Sequence, residues 1–363
     1  MQKYNKYLER YLYNIPKCEL HLHLRGMITK NVFEKLEKKY DKAYILERYR
    51  RESIERKYTI PCKYIFFLEN KDDENNIEDL LDFSSFQEFI DVYRFTGMYI
   101  NDIEDFKLLI SSCHTYLEEQ NIVYAEVTVS IFEYLRSGLN LEDIQIILSN
   151  NKFYKIGKIN WIIDLGWSSK EEQAYLLLKK VFSNDPETFV GITLGGRESK
   201  AKVRGFQAVY NLAKDYKMGT SIHVGETKDS LAMREAILEL KPHRIGHGIR
   251  AVDSKEILRY IIEKNIALEI CITSNVKLKN VNDYFHHPIF QLLREGVNTV
   301  ISTDDPGMLK TDLVKEYEKL YYLGVEVNTI CKLIKQSFQA SFLTKEEKKH
   351  YCNQVEQKIG KNG

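Results

Sequence analysis

Apolar and polar residues alternate over short stretches of this chain, and longer stretches of helical period separate them. The alternation is clearest at 18–24, where Leu20, Leu22 and Leu24 interleave with Glu19, His21 and His23, a period of two that predicts a strand. Short apolar runs at 122–130, 159–167, 188–196, 219–226, 243–248, 266–274 and 297–305 bring the candidate strands to eight. Between most of them lie 20 to 30 residues of helical periodicity, as in Val203 to Tyr216 and Leu231 to Leu240. Strands alternating with helices predict an α/β protein with a parallel sheet. Eight such units predict a (β/α)8 TIM-type barrel over residues 1–363, with extra helices after the first strand. The highly charged segment from about 40 to 80, with runs at 47–52 and 71–74, reads as surface helices and loops rather than a separate domain.

The alternative is an open, doubly wound sheet, and the unusual polar residues argue against it. His21 and His23 lie near the end of the first candidate strand, His223 ends the fifth, His247 the sixth, and Asp304 and Asp305 the eighth. In a closed barrel these ends converge on one mouth, whereas in an open sheet the first and eighth strands do not meet.

Composition narrows the classes. A chain of 363 residues, 44% hydrophobic and 29% charged, is long enough for a large core. Its net charge of +1 gives no bulk attraction to a nucleic acid polymer or an anionic membrane, so any attraction to phosphate is local. Six scattered cysteines without a C-x-x-C pair read as reduced thiols. With no apolar leader and no long apolar run, a cytoplasmic protein is expected.

The candidate chemistry is metal-assisted hydrolysis. On a strand, residues 21, 23 and 25 share one face. Two imidazoles two apart on it can chelate one transition metal, and His21, His23, His223 and Asp304 make a three-nitrogen, one-oxygen set suited to Zn2+, one per chain, with a position left for water. Such an ion lowers the pKa of water to about 7. Glu226, three residues after His223, is a candidate general acid. His247 and Asp305 remain as outer or proton-handling groups. The bland readings are satisfied histidines and, at Asp304-Asp305-Pro306-Gly307, an ordinary turn with an N-cap.

Five motifs in order, P-K-x-E-L-H-L-H-L, S-I-H-V-G-E, R-I-G-H-G-I-R, C-x-T-S-N and S-T-D-D-P-G-M, resemble the adenosine and AMP deaminase family over about residues 15 to 345. The resemblance implies a metal-dependent barrel hydrolase acting on a small-molecule adenine nucleoside or nucleotide. His21, His23, His223 and Asp304 would hold the zinc. Glu226 would protonate purine N1, His247 would orient and deprotonate the metal-bound water, and Asp305 would hydrogen-bond the attacking hydroxide and N7. The backbone of Gly195 would meet N3. Water adds at C6, ammonia leaves and a 6-oxopurine remains. The H-x-E with P-C-x-x-C signature of the other zinc deaminases is absent. Oligomeric state is left open.

Two departures bear on the substrate. Adenosine-specific members typically carry an aspartate at the position of Arg25, facing the 5′-hydroxyl. A guanidinium there suits phosphate oxygens instead. After Gly195 the chain reads Gly196-Arg197-Glu198, one acid fewer and a cation more, and Arg136 and Lys200 could extend a basic rim. A 5′-phosphorylated substrate, AMP or dAMP, is therefore expected, with Arg25 and Arg197 among the binding residues. The alternatives are an adenosine or deoxyadenosine deaminase whose Arg25 pairs with Glu19 or Glu126, an enzyme for an N6-alkylated AMP, and a catalytically silent nucleotide sensor.

Overall fold

The structure is a computed structural model that describes residues 2–70, 77–198, 202–227 and 230–359. The charged run at 71–74 and Lys200 lie outside the described residues. The predicted strands form: β1 Lys17–His23, β2 Ile122–Val129, β3 Gly157–Asp164 and β4 Phe189–Thr193, then β5 Gly219–Thr220 and β6 His223–Val224, then β7 Arg244–His247, β8 Ala267–Ile270 and β9 Thr299–Ile301. β5 and β6 are two halves of the predicted fifth strand. All pairings among them are parallel.

The sheet closes. Across the fifth position, Ser221 and His223 donate to Ile192 and Leu194 on one side, while Gly246 and Gly248 donate to Ile222 and Val224 on the other. At the last seam, His23 N–H donates to the Asp304 carbonyl (2.9 Å) and Asp304 N–H to the His21 carbonyl (3.0 Å). These bonds join the first strand to the eighth, as the closed barrel requires. The strands are largely buried on both faces, as a sheet covered by helices demands.

The interior also holds charge. Arg244 bridges Glu126 and Glu269, all three almost fully buried. Such a network survives burial only when every member is paired, and Glu269 turns its other oxygen, Oε2, to His21 Nδ1 at 2.9 Å.

The predicted extra helices follow β1: α2 Lys30–Glu37, α3 Lys42–Arg56, α4 Cys62–Glu69, α5 Ile77–Leu81, α6 Phe86–Gly97 and α7 Ile103–Glu119, after an N-terminal α1, Gln2–Asn14. Local signals set several starts: Thr29 and Asp41 cap α2 and α3, and Asp102 with Asp105 forms a capping box on α7. An aromatic cluster binds α2, α3, α4 and α6 together. Tyr64 stacks on Phe95 with centroids 4.1 Å apart, and Phe33 and Tyr49 lie beside them. Among the described residues no helix is long and apolar enough to cross a membrane.

Candidate metal centre and active site

Five of the residues named from the sequence converge at the C-terminal ends of the strands. His21, His223, His247 and Asp304 can each offer one donor atom, all within 4.8 Å of one another. His23 joins them: its Nε2 lies 3.1 Å from His223 Nε2 and 3.3 Å from Asp304 Oδ1. His21 Nε2 is also 3.3 Å from Asp304 Oδ1. The backbone aims these groups by unusual means. His247 (φ +59°) and Asp304 (φ +69°) both adopt the left-handed region, a strained choice for such residues and a frequent mark of functional sites. Gly246 makes room, since a Cβ there would lie 2.8 Å from His21 Cε1.

The donor set fits a divalent cation. His21 Nδ1 is held by the Glu269 carboxylate, which can only accept, so its proton sits on Nδ1 and its Nε2 lone pair is free. His223 Nδ1 lies 3.3 Å from Thr193 Oγ1, a hydroxyl able to accept from a proton there in the same way. His21 Nε2 is buried without a hydrogen-bond partner among the described residues. The Nε2 atoms of His23 and His223 face each other, an arrangement that a shared cation relieves. Asp304 Oδ2 accepts from Ser274 Oγ at 2.6 Å, which orients the other oxygen toward the histidines. Despite its burial, Asp304 is held well below the usual carboxylate range by His21 and His23, so it presents a negative charge.

Around this cluster sit the proton-handling candidates. Glu226 is buried, and desolvation together with the charge of Asp304 raises its carboxyl well above the ordinary value. Its Oε1 accepts from Asn280 Nδ2 at 2.8 Å and its Oε2 stands 3.8 Å from His247 Nε2. The Glu198 carboxylate accepts the backbone N–H groups of Gly225, Glu226 and Thr227 at 2.8 to 2.9 Å, which fixes the turn that carries Glu226. Asp305 Oδ1 is buried with no hydrogen-bond partner among the described residues, and burial beside Asp304 pushes the Asp305 carboxyl up to about 8. Gly26 permits this packing, because a Cβ there would lie 2.5 Å from Asp305 Oδ1.

One expectation changes at the substrate-facing end. The strand's period of two does not carry to Arg25: the β1 register shifts between Glu19 and Leu22, and the chain leaves in a 3-10 turn, Leu24–Met27. Arg25 pairs with neither Glu19, which accepts from Thr303 and Tyr116, nor Glu126, which holds Arg244. Instead its guanidinium lies 4.0 Å over the Tyr93 ring, donates to the Tyr93 carbonyl and comes within 4.0 Å of Glu133 Oε2. Gly97 admits it. The Gly195 N–H, at the backbone that the resemblance places against purine N3, donates to Asp164 Oδ1 at 2.8 Å.

One cleft connects the two ends. It is lined at the bottom by His23, His223, Glu226, His247, Asp304 and Asp305, and higher up by Arg25, Asp164 and Gly195. Beyond Arg25 it is lined by Arg48, Glu52, Arg56, Glu133 and Arg136, and Arg197 stands exposed at the rim. Glu133 holds both Arg56 and Arg136. Burial alone would raise its carboxyl, but Arg56, Arg136 and Arg25 outweigh that and keep it below the usual range. Sequence reasoning missed Glu133, Asp164, Glu269 and His287. Their partners lie far along the chain, and only the His286-His287-Pro288 doublet carried a local signal.

A sequence profile described as adenosine deaminase matches residues 16–358. An aminodeoxyfutalosine deaminase of Streptomyces coelicolor is 27% identical over 361 residues, covering 96% of this chain and 86% of its own length. Two solved structures are similar in fold. An amidohydrolase from Burkholderia ambifaria with bound Zn has a TM-score of 0.78 at 17% identity, with 97% and 94% of the two chains covered. The N6-methyl-AMP deaminase of Arabidopsis thaliana, in its apo form, has a TM-score of 0.75 at 20% identity, with 96% and 98% covered.

Proposed function

The chain belongs to the adenosine deaminase family, and we propose that it hydrolytically removes the 6-amino group of an adenine nucleotide carrying a 5′-phosphate, with Zn2+ at His21, His23, His223 and Asp304. AMP and dAMP both fit this reading. A divalent ion in that site supplies water with a pKa lowered to about 7. The chain's own residues supply the rest. Glu226, whose carboxyl is held well above its ordinary value by burial and by Asp304, presents its proton to purine N1, which draws electron density from C6. His247 hydrogen-bonds the attacking oxygen. Asp305, exchanging its proton near neutrality, serves the attacking oxygen and purine N7. Water adds at C6, ammonia leaves and a 6-oxopurine remains.

The observation that carries the substrate reading is Arg25. Its side chain is buried at the cleft, and its Nε has no hydrogen-bond partner among the described residues. The compartment beyond it brings Arg25, Arg48, Arg56, Arg94 and Arg136 against Glu52 and Glu133, with Arg94 also paired to Asp91 at 3.5 Å, so five cations face three carboxylates. The two positive charges left over suit the roughly −1.5 to −2 of a phosphate monoester at pH 7. The relative names bracket this reading without fixing it, since they span aminodeoxyfutalosine and N6-methyl-AMP.

A second reading has its own support. The contacts of Arg25 with Tyr93 and Glu133 are those of a structural arginine, and a nucleoside substrate would leave them undisturbed. The chemistry is tested by stripping the protein with a chelator, restoring Zn2+, and following ammonia release with loss of adenine absorbance on AMP, dAMP, adenosine and deoxyadenosine. Turnover that disappears with the metal and returns with zinc is expected. Ammonia release unaffected by chelation, or none from any of the four, would contradict the proposal.

A further inference from the structure

His247 touches two groups from outside the metal site. Its Nδ1 lies 3.2 Å from Asn275 Nδ2. Asn275 Oδ1 in turn lies 3.2 Å from His287 Nε2. The far end of this chain is unambiguous, because His287 Nδ1 faces the backbone N–H of Ile289 at 3.0 Å and a backbone amide can only donate. His287 Nδ1 therefore carries no proton, and the neutral ring carries it on Nε2. That proton is donated to Asn275 Oδ1, which fixes the amide with its NH2 toward His247. His247 Nδ1 must then accept, and its own proton sits on Nε2, the atom facing Glu226 and Asp304.

We propose that Asn275 and His287 are positioning residues that lock His247 as the Nε2–H tautomer. Two consequences follow. A nitrogen that carries a proton has no lone pair for a metal, so His247 stays outside the coordination shell although its tip lies as close as those of the ligands. The contrast with His21 is chemical: its Nδ1 faces a carboxylate, which only accepts, whereas that of His247 faces a donor. The second consequence concerns catalysis. His247 gives a hydrogen bond to the attacking oxygen and does not take its proton. Of the two tasks expected of this residue from the sequence, orientation remains and deprotonation passes to another group, for which Asp305 is placed. All three relay side chains are almost fully buried, so no bulk water competes for the amide.

The inference rests on the proposed reaction only for its catalytic half. The tautomer is read without substrate, from 15N-histidine NMR of the zinc-loaded full chain, with the His247 signals assigned through His247→Gln. An Nε2-bound proton with a bare Nδ1 is expected. Asn275→Asp supplies the decisive variant: it preserves shape, still accepts from His287, and presents His247 with an acceptor. The proton should move to Nδ1, and kcat on the preferred substrate should fall about 100-fold or more with KM little changed. Zinc bound per chain, measured in parallel, reports that the site remains folded. A proton on Nδ1 in the wild type, an unmoved proton in Asn275→Asp, or a reversed tautomer with undiminished kcat would overturn the proposal. Absence of turnover on every adenine compound would sink the proposed function and leave the tautomer result standing.

Discussion

At one end of the cleft, His21, His223, His247 and Asp304 sit on strands or directly after them, and each is fixed by a buried partner of its own: Glu269, Thr193, Asn275 and Ser274. At the other end, Arg25 leaves a 3-10 turn, Arg56 closes α3, Arg136 ends the short helix Ile131–Arg136, and all three share one carboxylate, Glu133. The first end is preorganised, with one partner for each group and a rigid strand beneath it. The second is a pooled field in which one carboxylate balances several cations. On the proposed function, chemistry falls to the barrel strands and substrate choice to the turn after the first strand, the helices inserted there and the helix after the second strand. Changes at the metal end should abolish turnover, and changes at the arginine end should redistribute it.

The largest effect is expected from Glu226→Gln, which keeps the shape and removes the proton offered to N1. Turnover should drop by roughly 10²- to 10⁴-fold with metal content unchanged. Near-normal kcat in that variant would remove Glu226 from the mechanism. Next comes Glu269→Gln, which loosens His21 without touching the other donors. A competition titration should show zinc affinity reduced by roughly 10- to 100-fold. Unchanged affinity would show that Glu269 serves the Arg244 network alone.

Glu269 also gives a pH dependence. Burial would raise its carboxyl, but Arg244 and His21 outweigh that and hold it at about 2, below its ordinary 4.5. Its folded pKa being the lower, its contribution is fully present above about pH 4.5 and is lost as pH falls toward 2. At about 1.4 kcal/mol per pH unit, this group accounts for roughly 3 kcal/mol of acid sensitivity. Denaturant titrations across that window should show wild type losing more stability than Glu269→Gln, and parallel curves would remove the effect.

A smaller change is expected at Arg25. Arg25→Asp should weaken AMP by about tenfold or more, the worth of one good charged hydrogen bond, and favour the nucleoside. Least of all is expected from Arg136→Ala. Its head is 41% exposed and already tied to Glu133, so AMP turnover should change by less than about threefold. A larger loss would show that Arg136 touches the substrate directly.

The same contrast explains what the sequence allowed. All eight strand positions were legible, because each is a short apolar run between helical stretches. The clustering of these histidines and aspartates was legible because they sit at the ends of those runs. Arg25 was extrapolated along the strand's period, and that failed where the register shifts before Leu22 and the chain turns at Leu24. Its true neighbours, Tyr93 and Glu133, come from an inserted helix and from beyond the second strand. No periodicity links residues so far apart. Gly195 was placed correctly at the cleft, but its bond to Asp164 depends on the adjacent strand and has no signature in its own segment.

The most direct test of the phosphate reading is the ratio of kcat/KM for AMP to that for adenosine, measured on the zinc-loaded wild type. A ratio of about ten or more is what one arginine–phosphate contact provides, and it would place the phosphate in the arginine compartment. A ratio at or below one would contradict the account and return Arg25 to a structural role beside Tyr93 and Glu133.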